Sequence, residues 1–529
     1  MQNLDPRLDN DESAIRGGLG KISVGELRSS PSLKRKLLAL LAVIGPGIIV
    51  MVGDNDAGGI TTYAQAGQAY GYTLLWLMPV LVIVLAVSQE MVVRLGAVTG
   101  VGHGKLLKER FGRFWAAFSV VDLFALNLLT LITEFIGVRY ALGYFGVPPA
   151  IAVTVMGIVL VGAVASGRFE RWERFMLVLV LVSLLVIPLV LLTHWHVGGV
   201  ATGLLIPGVK GGITSTATIF IIGIVGTTIA PWQLFFQQSN VVDKRITPRW
   251  IKYERADTFI GAIVTNAAAA CVMIAAAAVF VGFKIGAFQD AGQLAQGFAS
   301  HAGAITGVIF AIILLEASLI GAATVTLSTS YALGDLFGVD QSLNTPVREA
   351  KGFYASYILL VAISAGVVLI PSLPLSLVNL AVQVLAGVLL PSALLFLLLL
   401  CNDKEIMGPW MNPPWLNILA TFIVSLLLQL SLILTIVTVL PTISVTGLLI
   451  GTFIPVVVVT VGVAIYQVKI RTPEHIDRVA RLSWSMPASA LLHRPPQSRG
   501  RGLVLLFVRI YLIIAVILMV ISFVRLGSG

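Results

Sequence analysis

Long apolar runs separated by short polar connections make up most of this chain. A helix needs about 20 residues to cross the hydrocarbon core of a bilayer, so each run near that length is a candidate membrane span. The candidate spans lie at 38–69, 72–94, 114–144, 148–167, 173–194, 214–239, 256–283, 303–335, 353–370, 374–401, 415–440, 444–467 and 503–526. The pattern predicts an all-α polytopic membrane protein with thirteen spans.

The first and sixth spans contain residues that interrupt a helix. The first holds the stretch GDNDAGG at 53–59, in which carboxylates and glycines replace apolar residues. The sixth holds Pro231, which cannot donate the hydrogen bond of a continuous helix. Broken helices in matching positions of two halves are typical of inverted-repeat transporters with a midplane substrate site. We therefore predict an inverted-repeat (5+5) amino-acid-transporter-like fold with broken helices 1 and 6, plus additional C-terminal transmembrane helices.

This fold divides the chain into six segments. Residues 1–37 are polar and mixed in charge, which predicts a disordered, cytoplasmic N-terminal tail. The other predicted segments are the first repeat at 38–213 (spans 1 to 5), the second repeat at 214–401 (spans 6 to 10), spans 11 and 12 at 402–468, a basic cytoplasmic linker at 469–502, and a C-terminal transmembrane helix at 503–529.

Composition agrees with the span pattern and excludes several classes of protein. Of the 529 residues, 57% are hydrophobic and 11% are charged, which is typical of membrane proteins rather than soluble ones. Only Cys271 and Cys401 are cysteines, and both lie in apolar runs, so neither a disulfide framework nor a thiolate metal cage is available. We expect no cofactor and no obligate protein partner.

The net charge of +10 arises from basic residues placed between the apolar runs. Connections that are rich in basic residues alternate along the chain with connections that have few. This alternation indicates membrane topology rather than a nucleic-acid surface. The positive-inside rule then places the N-terminus in the cytoplasm. We expect a multi-pass protein of the plasma (inner) membrane.

The two acids of the first break need a partner. A charge near the bilayer centre costs at least about 2.5 to 3.5 kcal/mol, and acids within spans are usually functional. Unwound carbonyls at the breaks add partial negative charge, so Asp54 and Asp56 are expected to bind a cation. Two alternatives remain: Asp56 caps the second half-helix, and Asp54 faces a vestibule.

These residues also resemble a family. The stretch GPGIIVMVGDNDAGGITTYAQAGQAYGYTLLW is similar to the first helix of the NRAMP divalent-metal transporters, whose Asp-Pro-Gly-Asn signature falls on Asp56-Ala57-Gly58-Gly59. RLGAVTG and LLPSALLFLLLLCNDKEIMG resemble the family's second and tenth helices. The resemblance extends over roughly residues 40–410 and implies a transporter, not an enzyme, whose partners are a divalent metal ion as substrate and the lipid bilayer.

Departures from the family pattern indicate a different cargo. The Met-Pro-His-Asn motif of the sixth helix falls on Ala230-Pro231-Trp232-Gln233, so the metal-lining thioether is absent. One acid of the third-helix pair falls on Leu131, and a later histidine of the sixth helix falls on Gln237. This combination resembles the NRAMP-related magnesium transporter branch.

Ligand chemistry supports the same expectation. Mg²⁺ prefers oxygen ligands and dehydrates reluctantly, whereas thioethers and imidazoles favour softer metals. The expected metal ligands are Asp54, Asp56, Gln233 and carbonyls around Gly53 and Thr228. Trp232 cannot be a ligand because its indole nitrogen only donates, so we expect it to form a wall or gate beside the site. Gln383 either lines the site or joins two helices. The expected lining residues are Asn55, Gly59, Ala230, Trp232 and Gln383.

Glu134 in the third span and Glu316 in the eighth are two further candidates. Glu134 is a candidate for coupling, or it forms an ion pair with Arg139. Glu316 is expected to line a wet vestibule. No histidine falls at a midplane position, so we expect uptake that is driven by membrane potential and not coupled to protons.

The expected function is uptake of divalent metal ions, Mg²⁺ and also Mn²⁺, by alternating access. One alternative is a proton-coupled Mn²⁺/Fe²⁺ transporter of the NRAMP type. Another is an organic-solute transporter on the same scaffold, although Asp54 and Asp56 would repel a carboxylate substrate. An intramembrane enzyme would need a motif such as His-Glu-x-x-His, which the chain lacks.

Overall fold

A bundle of helices accounts for nearly all of the described residues. The structure is a computed structural model that describes residues 15–22, 39–165, 167–284, 286–338, 342–371, 375–439 and 443–470, and short stretches between 481 and 513. Its strands are β1 (Ile15–Gly17) and β2 (Gly20–Ile22). Its helices are α1 (Pro46–Gly53), α2 (Ala57–Tyr70), α3 (Leu77–Thr99), α4 (His103–Phe111), α5 (Arg113–Tyr144), α6 (Pro149–Ala165), α7 (Phe169–Val182), α8 (Val186–Leu191), α9 (Val197–Leu205), α10 (Ser215–Thr228), α11 (Pro231–Asp243), α12 (Ile251–Val279), α13 (Ala291–Ala302), α14 (Ala304–Phe337), α15 (Lys351–Val368), α16 (Leu375–Cys401), α17 (Lys404–Met407), α18 (Pro414–Val439) and α19 (Val445–Ile470).

The expected breaks fall in the first and sixth spans. Helix α1 ends at Gly53 and α2 begins at Ala57, while α10 ends at Thr228 and α11 begins at Pro231. Pro231 occupies the first position of its helix, where its missing N–H is tolerated. Within the part of the chain that the structure describes, ten helical segments are long and apolar enough to cross a membrane, and α10 with α11 counts as one.

Several elements differ from the sequence prediction. The fifth span is not one helix, because α7 passes through a short 3₁₀ turn into α8. Pro188 stands at the third position of α8, within the first helical turn, where proline costs little. Connections that we expected to be loops contain the short helices α4, α9 and α13.

The prediction of a disordered tail is wrong for residues 15–22. These residues form an antiparallel hairpin in which Ile15 pairs with Ile22. The hairpin is held to the bundle because the backbone N–H of Gly18 donates to Glu173 Oε2 at 2.5 Å. Residues 1–14, most of the predicted linker at 469–502 and most of the predicted helix at 503–529 lie outside the described residues.

Helix packing places both breaks in the interior of the bundle. Helix α12 packs against α1 and α2, α14 runs along α5, and α10 packs against α16. The α10–α16 approach is close at two glycines, because a Cβ on Gly226 would lie only 2.5 Å from the backbone nitrogen of Gly387. The first and second breaks are therefore surrounded by protein rather than by lipid.

Candidate metal-binding site

The first break is organised by its own polar side chains. Asp56 is the N-cap of α2, and its Oδ1 accepts the backbone N–H of Gly59 at 2.6 Å. The capping role that we kept as an alternative is thus present, and it occupies one carboxylate oxygen. Asn55 Nδ2 donates to the Thr265 carbonyl at 3.0 Å, which anchors the break to α12.

Glu134 on α5 keeps the first break unwound. Its Oε2 accepts the backbone N–H of Ala57 at 3.1 Å. In a continuous helix that N–H would donate to the Gly53 carbonyl. The Glu134 carboxylate therefore takes the place of a backbone acceptor. Its carboxyl group also contacts that of Asp56. The alternative of an ion pair with Arg139 is not seen among the described residues, where Arg139 Nη1 donates to the Val368 carbonyl at 3.0 Å.

The second break joins the first through Gln233. Its Nε2 donates to Asp54 Oδ1, across the gap between α11 and the end of α1. Its Oε1 accepts from Gln89 Nε2 on α3 at 3.0 Å. The residues that the sequence placed on separate half-helices are therefore hydrogen-bonded neighbours. Asp54 is only 1% exposed, so it does not face an open vestibule.

Two threonines end α10 beside the same space. The hydroxyl groups of Thr228 and Tyr63 lie 2.8 Å apart, and the Thr228 hydroxyl also donates to the Ile224 carbonyl at 2.7 Å. Thr227 Oγ1 is buried and has no hydrogen-bond partner among the described residues. A Cβ on Gly59 would lie 2.7 Å from that oxygen, so the glycine keeps the space beside it open.

The remaining expected lining residues surround the breaks. Trp232 is buried, and a Cβ on Gly53 would lie 3.6 Å from its indole ring, as expected of a wall. Ala230 is the N-cap of α11 and contributes only a methyl group. Gln383 on α16 packs so tightly on Gly58 that a side chain there would overlap its amide nitrogen.

The site is strongly acidic and lacks an opposing protein charge. Asp54, Asp56 and Glu134 are all buried, and none forms an ion pair within the described residues. Asp54 Oδ2, Asn55 Oδ1 and Glu134 Oε1 have no hydrogen-bond partner there. Buried acids of this kind favour a bound cation or a proton. No group of three or more His, Cys, Asp or Glu residues suited to a metal occurs among the described residues, so a cation would need amide, hydroxyl and carbonyl oxygens as well.

The sequence prediction missed some site residues, and it placed Glu316 in a wet vestibule although that residue is only 4% exposed. Glu316 is buried on α14, and its Oε1 has no hydrogen-bond partner among the described residues. Tyr63, Gln89 and Thr227 were not singled out, although each touches a residue that was. The available signal was a polar side chain inside an apolar span, which usually faces the bundle interior.

Relatives of known name are similar to this chain in sequence. A protein named divalent metal cation transporter MntH from Latilactobacillus sakei is 27% identical over 430 residues, covering 76% of this chain and 90% of its own length. The protein of that name from Staphylococcus saprophyticus is also 27% identical, over 421 residues, covering 75% of this chain and 92% of its own length.

A solved structure shows the architecture. The crystal structure of a manganese transporter from Eremococcus coleocola, in complex with an aromatic bis-isothiourea substituted compound, has a TM-score of 0.61 and 22% sequence identity, and the match covers 83% of this chain and 96% of that chain. The predicted inverted-repeat transporter fold is thereby confirmed. Residues 47–437 match the family described as Nramp, natural resistance-associated macrophage protein-like. Because this match covers well over half of the chain, the chain belongs to the Nramp family.

Proposed function

We propose that this protein mediates the uptake of divalent metal ions, Mg²⁺ and also Mn²⁺, by alternating access without coupling to protons. Its relatives named divalent metal cation transporter support the class of substrate, and the family contains membrane transporters rather than enzymes. An organic carboxylate is disfavoured, because it would meet the buried acids Asp54 and Asp56.

The oxygen-only lining of the two breaks is the observation that carries the proposal. The unpaired oxygens of Asp54 and Asn55 lie there with Asp56, which has an N-cap role. Gln233 and the carbonyls around Gly53 and Thr228 complete the proposed set. Hard oxygen ligands suit Mg²⁺ and Mn²⁺, and no thioether competes because residue 230 is alanine.

Small residues at two positions of the breaks support an ion that keeps part of its water. Ala230 and Gly59 each present little or no side chain toward the breaks. Mg²⁺ gives up its waters reluctantly and usually retains several of them in protein sites. Small residues at these two positions therefore leave more room for a partly hydrated ion than larger side chains would, with Trp232 and Gln383 as the proposed walls.

The absence of titratable groups at two positions supports uncoupled transport. Leu131 cannot carry a proton, and Gln237 instead donates from Nε2 to Glu254 Oε1 at 3.3 Å. His103 lies outside the spans, and burial lowers its pKa to about 4, so it stays neutral at neutral pH. One contact favours the alternative of a proton-coupled Mn²⁺/Fe²⁺ transporter: Glu134 touches Asp56.

Charge along the chain supports the proposed orientation. The basic connections fall on one side of the predicted spans, together with the N-terminus, and we assign that side to the cytoplasm of the plasma membrane. Uptake would then be inward movement of the cation, in the direction that a negative interior favours.

Flux in liposomes tests the proposed function. Purified protein is reconstituted with a Mg²⁺-sensitive dye inside, and Mg²⁺ is added as the sole divalent ion. We expect dye-detected entry for the parent protein and its loss for Asp56→Ala, because the variant lacks a charge that offsets ion dehydration.

Glu316→Gln is the control, since it changes another buried acid that lies outside the proposed ligand set. The control variant should retain entry. Equal Mg²⁺ entry by the parent and Asp56→Ala, in monodisperse preparations of equal amount, would remove Asp56 from the site. No Mg²⁺ entry by a parent protein that carries Mn²⁺ would overturn the magnesium assignment.

A further inference from the structure

A second cavity, away from the metal site, opens between α3, the start of α12 and the segment before α18. Its volume is about 740 Å³. It is lined by Ala86, Val87, Glu90, Arg94, Arg255, Pro409, Met411, Pro413, Trp415, Leu416 and Arg481. The cavity thus combines three guanidinium groups and one carboxylate with an apolar wall.

One of the arginines is structural. Arg94 donates to the Trp410 carbonyl, to Asn412 Oδ1 at 2.5 Å and to Glu90 Oε1 at 3.0 Å. Its side chain is only 2% exposed, so these bonds hold the 408–412 segment against α3. Arg94 therefore contributes a fixed positive charge to the cavity.

Arg255 and Arg481 also line the cavity, and fewer contacts hold their guanidinium groups than hold that of Arg94. Arg255 Nη2 lies 2.5 Å from Glu90 Oε1, but its side chain is 42% exposed. The guanidinium of Arg481 stacks over the Trp410 ring at 4.3 Å. Burial and the neighbouring Arg255 and Arg94 lower the pKa of Arg481, which shows that positive charge is crowded here. With Glu90 as the single carboxylate, the lining residues carry two excess positive charges.

The apolar wall lies where a membrane surface would meet the bundle. Trp415 is 63% exposed at the beginning of α18, and Leu416 follows it. Tryptophan is enriched at the membrane–water interface because its ring is amphipathic. Arg255 lies near the start of α12, next to a basic connection of the side that we assign to the cytoplasm.

We infer that this cavity binds the headgroup of an anionic phospholipid. Arg255 and Arg481 would contact the phosphodiester, because guanidinium groups bind phosphate oxygens in a bidentate manner. Ala86, Val87 and Leu416 would contact the acyl chains. Basic pockets at the cytoplasmic ends of membrane helices suit such headgroups, and a free phosphate would leave the apolar wall uncovered. Binding would add to the contacts that already join Arg481 to Trp410, where the indole Nε1 donates to the Arg481 carbonyl at 2.7 Å.

Lipid titration of the full-length protein tests this site. The thermal unfolding midpoint in detergent is followed while phosphatidylglycerol, phosphatidylcholine or soluble glycerol phosphate is added. We expect the unfolding midpoint to rise to a plateau with phosphatidylglycerol, and not to rise with phosphatidylcholine or glycerol phosphate. In the double variant Arg255→Gln/Arg481→Gln the half-saturating concentration should increase on the order of tenfold or more, since each surface arginine contributes roughly fivefold to anionic-lipid binding.

Arg171→Gln is the charge-matched control, because Arg171 is exposed in the first turn of α7 and does not line the cavity. The control should bind phosphatidylglycerol as the parent does. Equal titrations of the double variant and the parent would overturn the site, as would an equal loss in the control. A midpoint rise of the same size with glycerol phosphate would show a free-phosphate site and overturn the lipid assignment. Native mass spectrometry should show phosphatidylglycerol retained by the parent and lost by a double variant that remains folded.

Discussion

Residue 230 determines which atoms the second break can offer to an ion. Alanine there contributes no ligand atom and little volume at the N-terminus of α11. In Ala230→Met, a polarisable sulfur would stand near the breaks and its bulk would displace water that Mg²⁺ releases reluctantly. We expect the variant to lower Mg²⁺ flux more than Mn²⁺ flux.

The ratio of the Mg²⁺ and Mn²⁺ fluxes in one preparation measures this effect and is independent of the amount of active protein. Ala230→Leu is a useful control, because it adds comparable bulk without sulfur. If the ratio for Ala230→Met equals that of the parent while both ions still move, residue 230 does not line the site. A change in ratio shared by Ala230→Leu would assign the effect to volume rather than to sulfur.

At the scale of a single element, the half-helix α1 depends on its surroundings. It has eight residues, too few for an isolated helix to be stable. Asp257 on α12 accepts the backbone N–H groups of Gly45 at 3.1 Å, Gly47 at 2.7 Å and Ile48 at 3.3 Å. One carboxylate from another span therefore caps the helix that its own sequence leaves uncapped.

Charges next to this cap hold the chain that leads into α1. Lys244 donates to the Val43 carbonyl at 2.8 Å and to the Ile44 carbonyl at 2.9 Å. It also forms a fully buried ion pair with Glu173 Oε1 at 2.6 Å. Glu173 in turn accepts from Gly18 of the N-terminal hairpin. The N-terminal end of α1 and the residues before it are thus held by α7, α12 and Lys244, which directly follows α11.

We expect Asp257→Ala to loosen the N-terminal end of α1. Removing a helix cap costs about 1 kcal/mol, so amide exchange should accelerate roughly fivefold if α1 opens locally. Hydrogen–deuterium exchange of a peptide covering residues 45–53 measures this. Asp257→Asn keeps one acceptor oxygen and should give an intermediate rate. Unchanged exchange in both variants would show that other contacts hold α1.

At the scale of the whole molecule, an uncoupled carrier is driven by the electrical and concentration gradients of its cargo. Membrane potential supplies about 2.3 kcal/mol per charge for each 100 mV, which doubles for a divalent cation. We expect liposomes with an internal pH dye to show Mg²⁺ or Mn²⁺ entry without acidification, and faster entry when the interior is made negative.

The proton-coupled alternative makes the opposite prediction. Metal-dependent acidification that persists without an ionophore would contradict uncoupled transport. Glu134→Gln then identifies the carrier, because Glu134 is the remaining acid that touches both Asp56 and the backbone of the break. Loss of acidification with retained metal entry would assign proton movement to Glu134.

The sequence by itself determined the membrane class, most span positions and both breaks, because these depend on local properties. Apolar length defines a span, and Pro231 or a cluster such as GDNDAGG interrupts a helix wherever it lies. It also identified the two aspartates, since an acid within an apolar run is conspicuous. The predicted span at 173–194 corresponds to the candidate span Phe169–Leu191, but the 3₁₀ turn that divides it was not predicted, because the effect of Pro188 depends on its position within a helical turn.

Only the tertiary structure decided which polar groups meet. Gln233 pairs with Asp54 across 179 residues of sequence, Glu134 bonds to Ala57 across 77, and Asp257 caps α1 across 210. Such contacts depend on how each helix is rotated and how far it is shifted along its neighbour. Hydrophobic periodicity in spans that are apolar all round does not specify that rotation. The acidic site and the cap of α1 therefore arise from helix packing, whereas the local sequence determines the breaks that make them possible.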